Sequence, residues 1–156
     1  EESGVAPAAV FRRAGIDYRV LDDPDNRISF DELGRLLDEC VAATGCVHFG
    51  LLAGQRVGAE ALGIILELVL SAPTVGAGLR ALIAYLHLYD RGAVPVLSPL
   101  SAREAEFAYV IQHRGTPATA QISDASMVIG DRPRERLLRR ALKKERIATM
   151  TPEKRQ

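Results

Sequence analysis

Apolar residues recur at helical spacing through most of this chain and at strand spacing in one stretch only. The clearest run is Phe30, Leu33, Leu36, Leu37, Cys40 and Val41, a single stripe that stops at Gly45. Ser29-Phe30-Asp31-Glu32 opens it as a capping box: the Ser29 hydroxyl can accept from the third helical amide while Glu32 reaches back. Upstream, residues 5–14 predict a short helix, with Pro7 suited to the first turn and Gly15 to the stop. Between the two, Asp22-Asp23-Pro24-Asp25-Asn26 is a turn cluster, since Asp and Asn bond their own backbone and Pro breaks the helix.

His48 to Leu52 predicts a short connecting helix. Residues 59–70 are apolar nearly all round, with only Glu60 and Glu67 charged, which predicts a helix central to the fold with no face left for water. Ser71-Ala72-Pro73-Thr74 ends that helix and caps the next. The second carries Val75, Leu79, Leu82, Ile83 and Leu86 on one face and Ala81, Tyr85 and Leu88 on another. Two largely buried helices so closely joined predict an antiparallel hairpin at the core.

After Gly92 the period changes. Val94 to Leu97 and Glu104 to Gln112 predict two strands, and Pro95 puts the first at an edge. In the second, Ala105, Phe107, Tyr109 and Ile111 alternate against Glu106, Ala108, Val110 and Gln112. Helix resumes over Pro117 to Ile129, and residues 133–148 predict a basic amphipathic helix. The expected fold is α+β and mainly helical: a core antiparallel helix hairpin, a small β-hairpin and further helices.

A chain of 156 residues with 47% hydrophobic and 26% charged residues can bury a core, which excludes disorder as a whole-chain description. No apolar run reaches the roughly 18 residues of a membrane span. The opening Glu1-Glu2 lacks the basic and apolar regions of a secretory signal, and two cysteines, Cys40 and Cys46, suit a reducing compartment. A cytoplasmic location is therefore expected. The neutral total hides an asymmetry: residues 1–130 carry 10 basic and 16 acidic groups, whereas residues 131–156 carry 10 basic and 4 acidic. This divides the chain into a main domain, 1–130, and a basic helical tail or linker, 131–156.

Catalytic chemistry leaves almost no trace. His48, His87 and His113 fall in separate predicted elements, and Cys40 and Cys46 lack CxxC spacing, so no metal site is expected. No glycine loop leads into Lys-Ser/Thr, no GxSxG occurs, and no nucleophile stands beside a base. Neither enzyme activity nor a cofactor is expected. Glu67 lies in the most apolar helix, where a buried carboxylate needs a partner. It could pair with Arg80, sit at an exposed edge, or recognise a cationic or hydrogen-bonding ligand group. Tyr85 and His87, with Tyr89, put polar tips on apolar bodies where the core helix meets the hairpin, suited to a pocket or to ordinary packing. Glu67, Tyr85 and His87, with Tyr109 on the second strand, are the candidate ligand-binding residues.

Order and spacing of short motifs add a resemblance. His48-Phe49-Gly50-Leu51, Ala61-Leu62-Gly63, Ser71-Ala72-Pro73-Thr74 and Leu79-Arg80-Ala81-Leu82 with Tyr85-Leu86 follow one another along the chain. Gly4-Val5-Ala6-Pro7, Arg12-Arg13-Ala14-Gly15-Ile16, Asp25 to Ile28 and, more loosely, Gln121 to Ile129 fit the same pattern. Over roughly residues 4–130 the sequence resembles the N-terminal effector-sensing, arabinose-binding-domain-like part of AraC/XylS-type transcription regulators. The resemblance implies a domain that binds a small-molecule effector, forms a homodimer and acts on DNA through a separate helix-turn-helix domain. No recognition helix can be placed within these residues, and Arg132 to Gln156 does not match the family's usual continuation. The apolar interior favours a hydrophobic or mixed ligand, and Glu67 would favour an amine. The competing expectation is a ligand-free helical dimerisation or protein-interaction module that uses residues 133–148 as its contact surface.

Overall fold

The computed structural model of the chain describes residues 4–101, 104–112 and 114–131. The predicted helix over 133–148 and His113 lie outside the described residues. Within them the fold is α+β and mainly helical. Five helices precede the sheet in chain order: α1 (Pro7–Arg13), α2 (Phe30–Thr44), α3 (Phe49–Arg56), α4 (Gly63–Ser71) and α5 (Val75–Tyr85). The strands β1 (Ala93–Pro99) and β2 (Ala105–Ile111) follow, then a helix α6 over residues 119–131.

Each boundary has a local cause. Pro7 occupies the first turn of α1, where its missing N–H costs nothing. At the start of α2 the capping box forms as expected: Ser29 Oγ accepts from the Glu32 amide and Glu32 Oε2 accepts from the Ser29 amide. Gly45 ends α2 at φ 67°, a left-handed conformation that costs glycine little. Thr74 caps α5 by accepting from the Ala77 amide. The acidic turn also forms as read, with Asp23 Oδ1 accepting from the Asp25 amide.

The main core is the contact between α4 and α5. Ile65 and Val69 are fully buried and pack with Leu62, Leu66 and Leu82. The sequence puts α4 wholly inside, but the structure places only one face there. Ile64 is 68% exposed, and Glu67 and Leu68 share its side. The first part of the expected helix is a separate 3-10 turn, Ala59–Leu62. Helix α1 also contacts α2, and Val10 in α1, Ala14 just after it and Leu37 in α2 are buried.

Helix α6 lies against α3 with almost no side chain between the backbones. A Cβ added to Gly50 would collide with the carbonyl oxygen of Gln121, and one added to Gly54 would stand 2.7 Å from that of Ala125. The Gln121 side chain completes the seam. Its Oε1 accepts from the Gly50 amide at 2.7 Å, and its Nε2 donates to the Val47 carbonyl at 2.8 Å. Gln121 thereby satisfies polar backbone groups around the start of α3 that no side chain of α3's own N-cap, His48, reaches.

The sheet has two antiparallel strands, with Val94 opposite Val110 and Pro95 opposite Tyr109. Its inner face presents Ala93, Pro95 and Leu97 together with Phe107, Tyr109 and Ile111, as the alternation in β2 predicts. A hairpin of this size is marginal alone, so its inner face needs the helices.

Candidate functional site

Four separate segments meet around a partly open cavity of about 910 Å³. The turn before α2 and its first residues supply Arg27, Ser29, Phe30 and Leu33. The connection from α5 to β1 supplies Leu88, Tyr89, Asp90 and Arg91. Tyr109 and Gln112 come from β2 and its end, and Ile122, only 2% exposed, comes from α6. The size is near the upper end of small-molecule sites, roughly 300–1,000 Å³.

Asp90 organises the wall. Its Oδ1 accepts from the Gly92 amide at 2.9 Å, which fixes the turn into β1, and its Oδ2 accepts the Tyr109 hydroxyl. Ser126 on α6 is also hydrogen-bonded to the Tyr109 oxygen. Burial, first, and the bond to Asp90, second, push the Tyr109 phenol well above its ordinary value of 10.0, and Ser126 opposes them. Tyr109 therefore stays neutral and keeps its proton on Asp90. One side chain thus ties β2 to both the α5–β1 turn and α6.

Arg27 reaches the same turn from the segment before α2. Its Nη1 donates to the Tyr89 carbonyl at 3.2 Å, leaving most of its guanidinium donors uncommitted. Arg91 follows on the same turn and is exposed. The Phe30 ring covers Gly92, where any Cβ would overlap it, so the turn and the start of α2 are in direct contact. Deeper in the fold, buried Thr116 donates to Asp31 Oδ1 at 3.1 Å and ties the approach to α6 to the first turn of α2.

Of the residues singled out from sequence, Tyr109 and the associated Tyr89 line this cavity. Glu67, Tyr85 and His87 do not: all three are exposed, and they are not brought together with Tyr109 around it. No ion pair joins Glu67 to Arg80, which is also exposed. Of the sequence alternatives for Glu67, exposure on one side of its helix is what the structure shows. Arg27, Asp90 and Arg91 were missed. The available signal was that each is a charged residue beside a helix or strand boundary, in segments read only as turns. Among the described residues, no group of three or more His, Cys, Asp or Glu could hold a metal ion. None of their single helices is long and apolar enough to cross a membrane.

The family profile described as the arabinose-binding domain of AraC transcription regulators, N-terminal, matches residues 4–155. The chain belongs to this family. The match includes the basic segment, which the motifs alone left outside. Among curated proteins, the chain is similar to the ornithine utilization regulator of Pseudomonas aeruginosa, with 34% identity over 84 residues, covering 54% of this chain and 25% of that protein. It is also similar to the HTH-type transcriptional regulator VirS of Mycobacterium tuberculosis, with 28% identity over 127 residues, covering 81% of this chain and 37% of that protein. The chain thus spans between a quarter and just over a third of these relatives' length.

Proposed function

We propose that this chain is an effector-sensing domain whose small-molecule ligand occupies the cavity between α2, the α5–β1 turn, β2 and α6. The observation that carries the proposal is the convergence of four segments on one concave space lined by both apolar and charged groups. Membership of a regulator family supports sensing over catalysis. The ligand acts by favouring one of two arrangements, to the extent that it binds them differently. The Asp90–Tyr109–Ser126 connection offers a route from the cavity wall to α6, the helix that precedes the basic segment. Through it, occupancy would alter the contact between two copies of the chain, or the orientation of a DNA-binding domain. The intact regulator would act in the cytoplasm, and this domain would need no cofactor.

Native mass spectrometry of the purified chain, set against its denatured mass, tests the reading. An added mass that is lost on denaturation, and is absent from a cavity-filling Leu33→Trp variant, is the expected result. The same added mass on Leu33→Trp would place the ligand elsewhere. A chain that stays bare and is not stabilised by any small molecule would favour a ligand-free dimerisation module. The exposed Val94, Val96 and Val110 on the outer sheet face are the observation that favours this second reading.

A further inference from the structure

The charged groups around the cavity are unequal in what they leave for a ligand. Each oxygen of the Asp90 carboxylate already accepts a hydrogen bond from the protein, one from the Gly92 amide and one from the Tyr109 hydroxyl. Tyr109 is occupied too, giving its proton to Asp90 and bonding Ser126. Arg27 spends one of its five N–H donors on the Tyr89 carbonyl. Arg91 has no hydrogen-bond or ion-pair partner among the described residues. Of the polar side chains left over, the Ser29 hydroxyl and the Gln112 amide are neutral and the charged ones are the two arginines, while Phe30, Leu33, Leu88 and Ile122 supply apolar wall. Guanidinium groups pair with planar carboxylates through two parallel hydrogen bonds, a geometry that a lysine or a neutral amide does not reproduce.

We propose that the cavity selects a small organic carboxylate, its acid group held by Arg27 and Arg91 and its hydrocarbon part on Phe30, Leu33 and Ile122. This rests on the cavity being the effector site and adds the class of ligand. The class is opposite to the amine that Glu67 suggests from sequence, because Glu67 stands outside the cavity and Asp90 is engaged inside it.

The test is thermal unfolding of the whole chain at physiological ionic strength. The probes are straight-chain carboxylates of four to eight carbons, with the primary amides, alkylammonium ions and alkyl phosphates of matched length. The expected result is a saturable rise in melting temperature with carboxylates, weak or absent with the others. Arg91→Gln and Arg27→Gln should each weaken carboxylate binding about tenfold or more, since a hydrogen bond to a charged group is commonly worth at least that factor. Both arginines are exposed, so neither substitution disturbs the core. Leu33→Trp should abolish the effect. Amides, amines or phosphates matching the carboxylates would overturn the carboxylate class, and sensitivity to Leu33→Trp would still leave the cavity as the site. Carboxylate binding unchanged in the Arg27→Gln, Arg91→Gln double variant would also overturn the class. Failure of every probe class would overturn the carboxylate class, while the effector-site reading stands or falls separately on the added native mass and its loss in Leu33→Trp.

Discussion

Tyr109 gives its proton to Asp90 and is bonded by Ser126, so its loss would be felt on three elements at once. Tyr109→Phe keeps the ring and removes both bonds. The cavity is partly open, so water can reach part of Asp90, and the expected cost in denaturant unfolding is about 1–2 kcal/mol. The pH dependence follows from the raised phenol. Below its unfolded value of 10.0 both states hold the proton and the full contribution is present. Above that pH the unfolded chain loses the proton first, so stability falls as pH rises toward the folded value. Cys40, raised by burial and by the nearby Glu39 carboxylate, acts in the same direction from about 9.0 upward. Unfolding free energy measured between pH 7 and 11 should therefore decline at the alkaline end. Tyr109→Phe should lower the plateau and shallow the decline, leaving the Cys40 part; an unchanged slope would show that Tyr109 ionises as it does in water. Glu67 provides the contrast. It is exposed, so Glu67→Gln should shift stability by no more than about 0.5 kcal/mol and leave carboxylate binding unaltered.

At the scale of elements, the helices were legible where local chemistry decides them. The Ser29–Glu32 capping box, the Gly45 stop and the Phe30-to-Val41 stripe all act within a few residues, and all appear as read. Ser29→Ala should accordingly cost about 1 kcal/mol in thermal or denaturant unfolding. The alternation in β2 was legible for the same reason. What α4 does was not, because hydropathy alone cannot say how many faces have neighbours. Burial of Ile65, Leu66 and Val69 puts Glu67 on the outer side, and the position of that lone charge was the available clue. The cavity was less legible still: its walls come from residues as far apart as Arg27 and Ile122, and turn geometry brings them together. The seam between α3 and α6 also needs tertiary knowledge. In an isolated helix Gly50→Ala would stabilise by up to about 1 kcal/mol. Against the Gln121 carbonyl the added methyl meets backbone, and overpacking of that kind costs about 1–3 kcal/mol. A net destabilisation of Gly50→Ala is the expected sign in a denaturant melt, and a net stabilisation would mean that the two backbones are further apart.

For the whole molecule the question is whether the cavity and the α4–α5 core belong to one cooperative unit. They share no lining residue among Ile65, Val69 and Leu82, yet α5 leads through Leu86–Leu88 directly into the turn that forms the cavity wall. Ile65 is completely buried, so Ile65→Ala removes a methylene and two methyl groups from a filled space and should cost about 2–5 kcal/mol. That is a large part of the roughly 5–15 kcal/mol that holds a domain folded. A ligand that binds only the folded chain adds about 2.7 kcal/mol at a hundredfold excess over its Kd. Because Ile65 does not line the cavity, the two effects should add. A saturating carboxylate should then recover a comparable fraction of the stability lost in Ile65→Ala, within a single unfolding transition and with the same increment it gives the parent chain. A smaller increment in the variant would mean that the core shapes the cavity at a distance. Two transitions, with only one responding to ligand, would separate the sensing site from the core and remove the mechanical basis for passing its occupancy through α6.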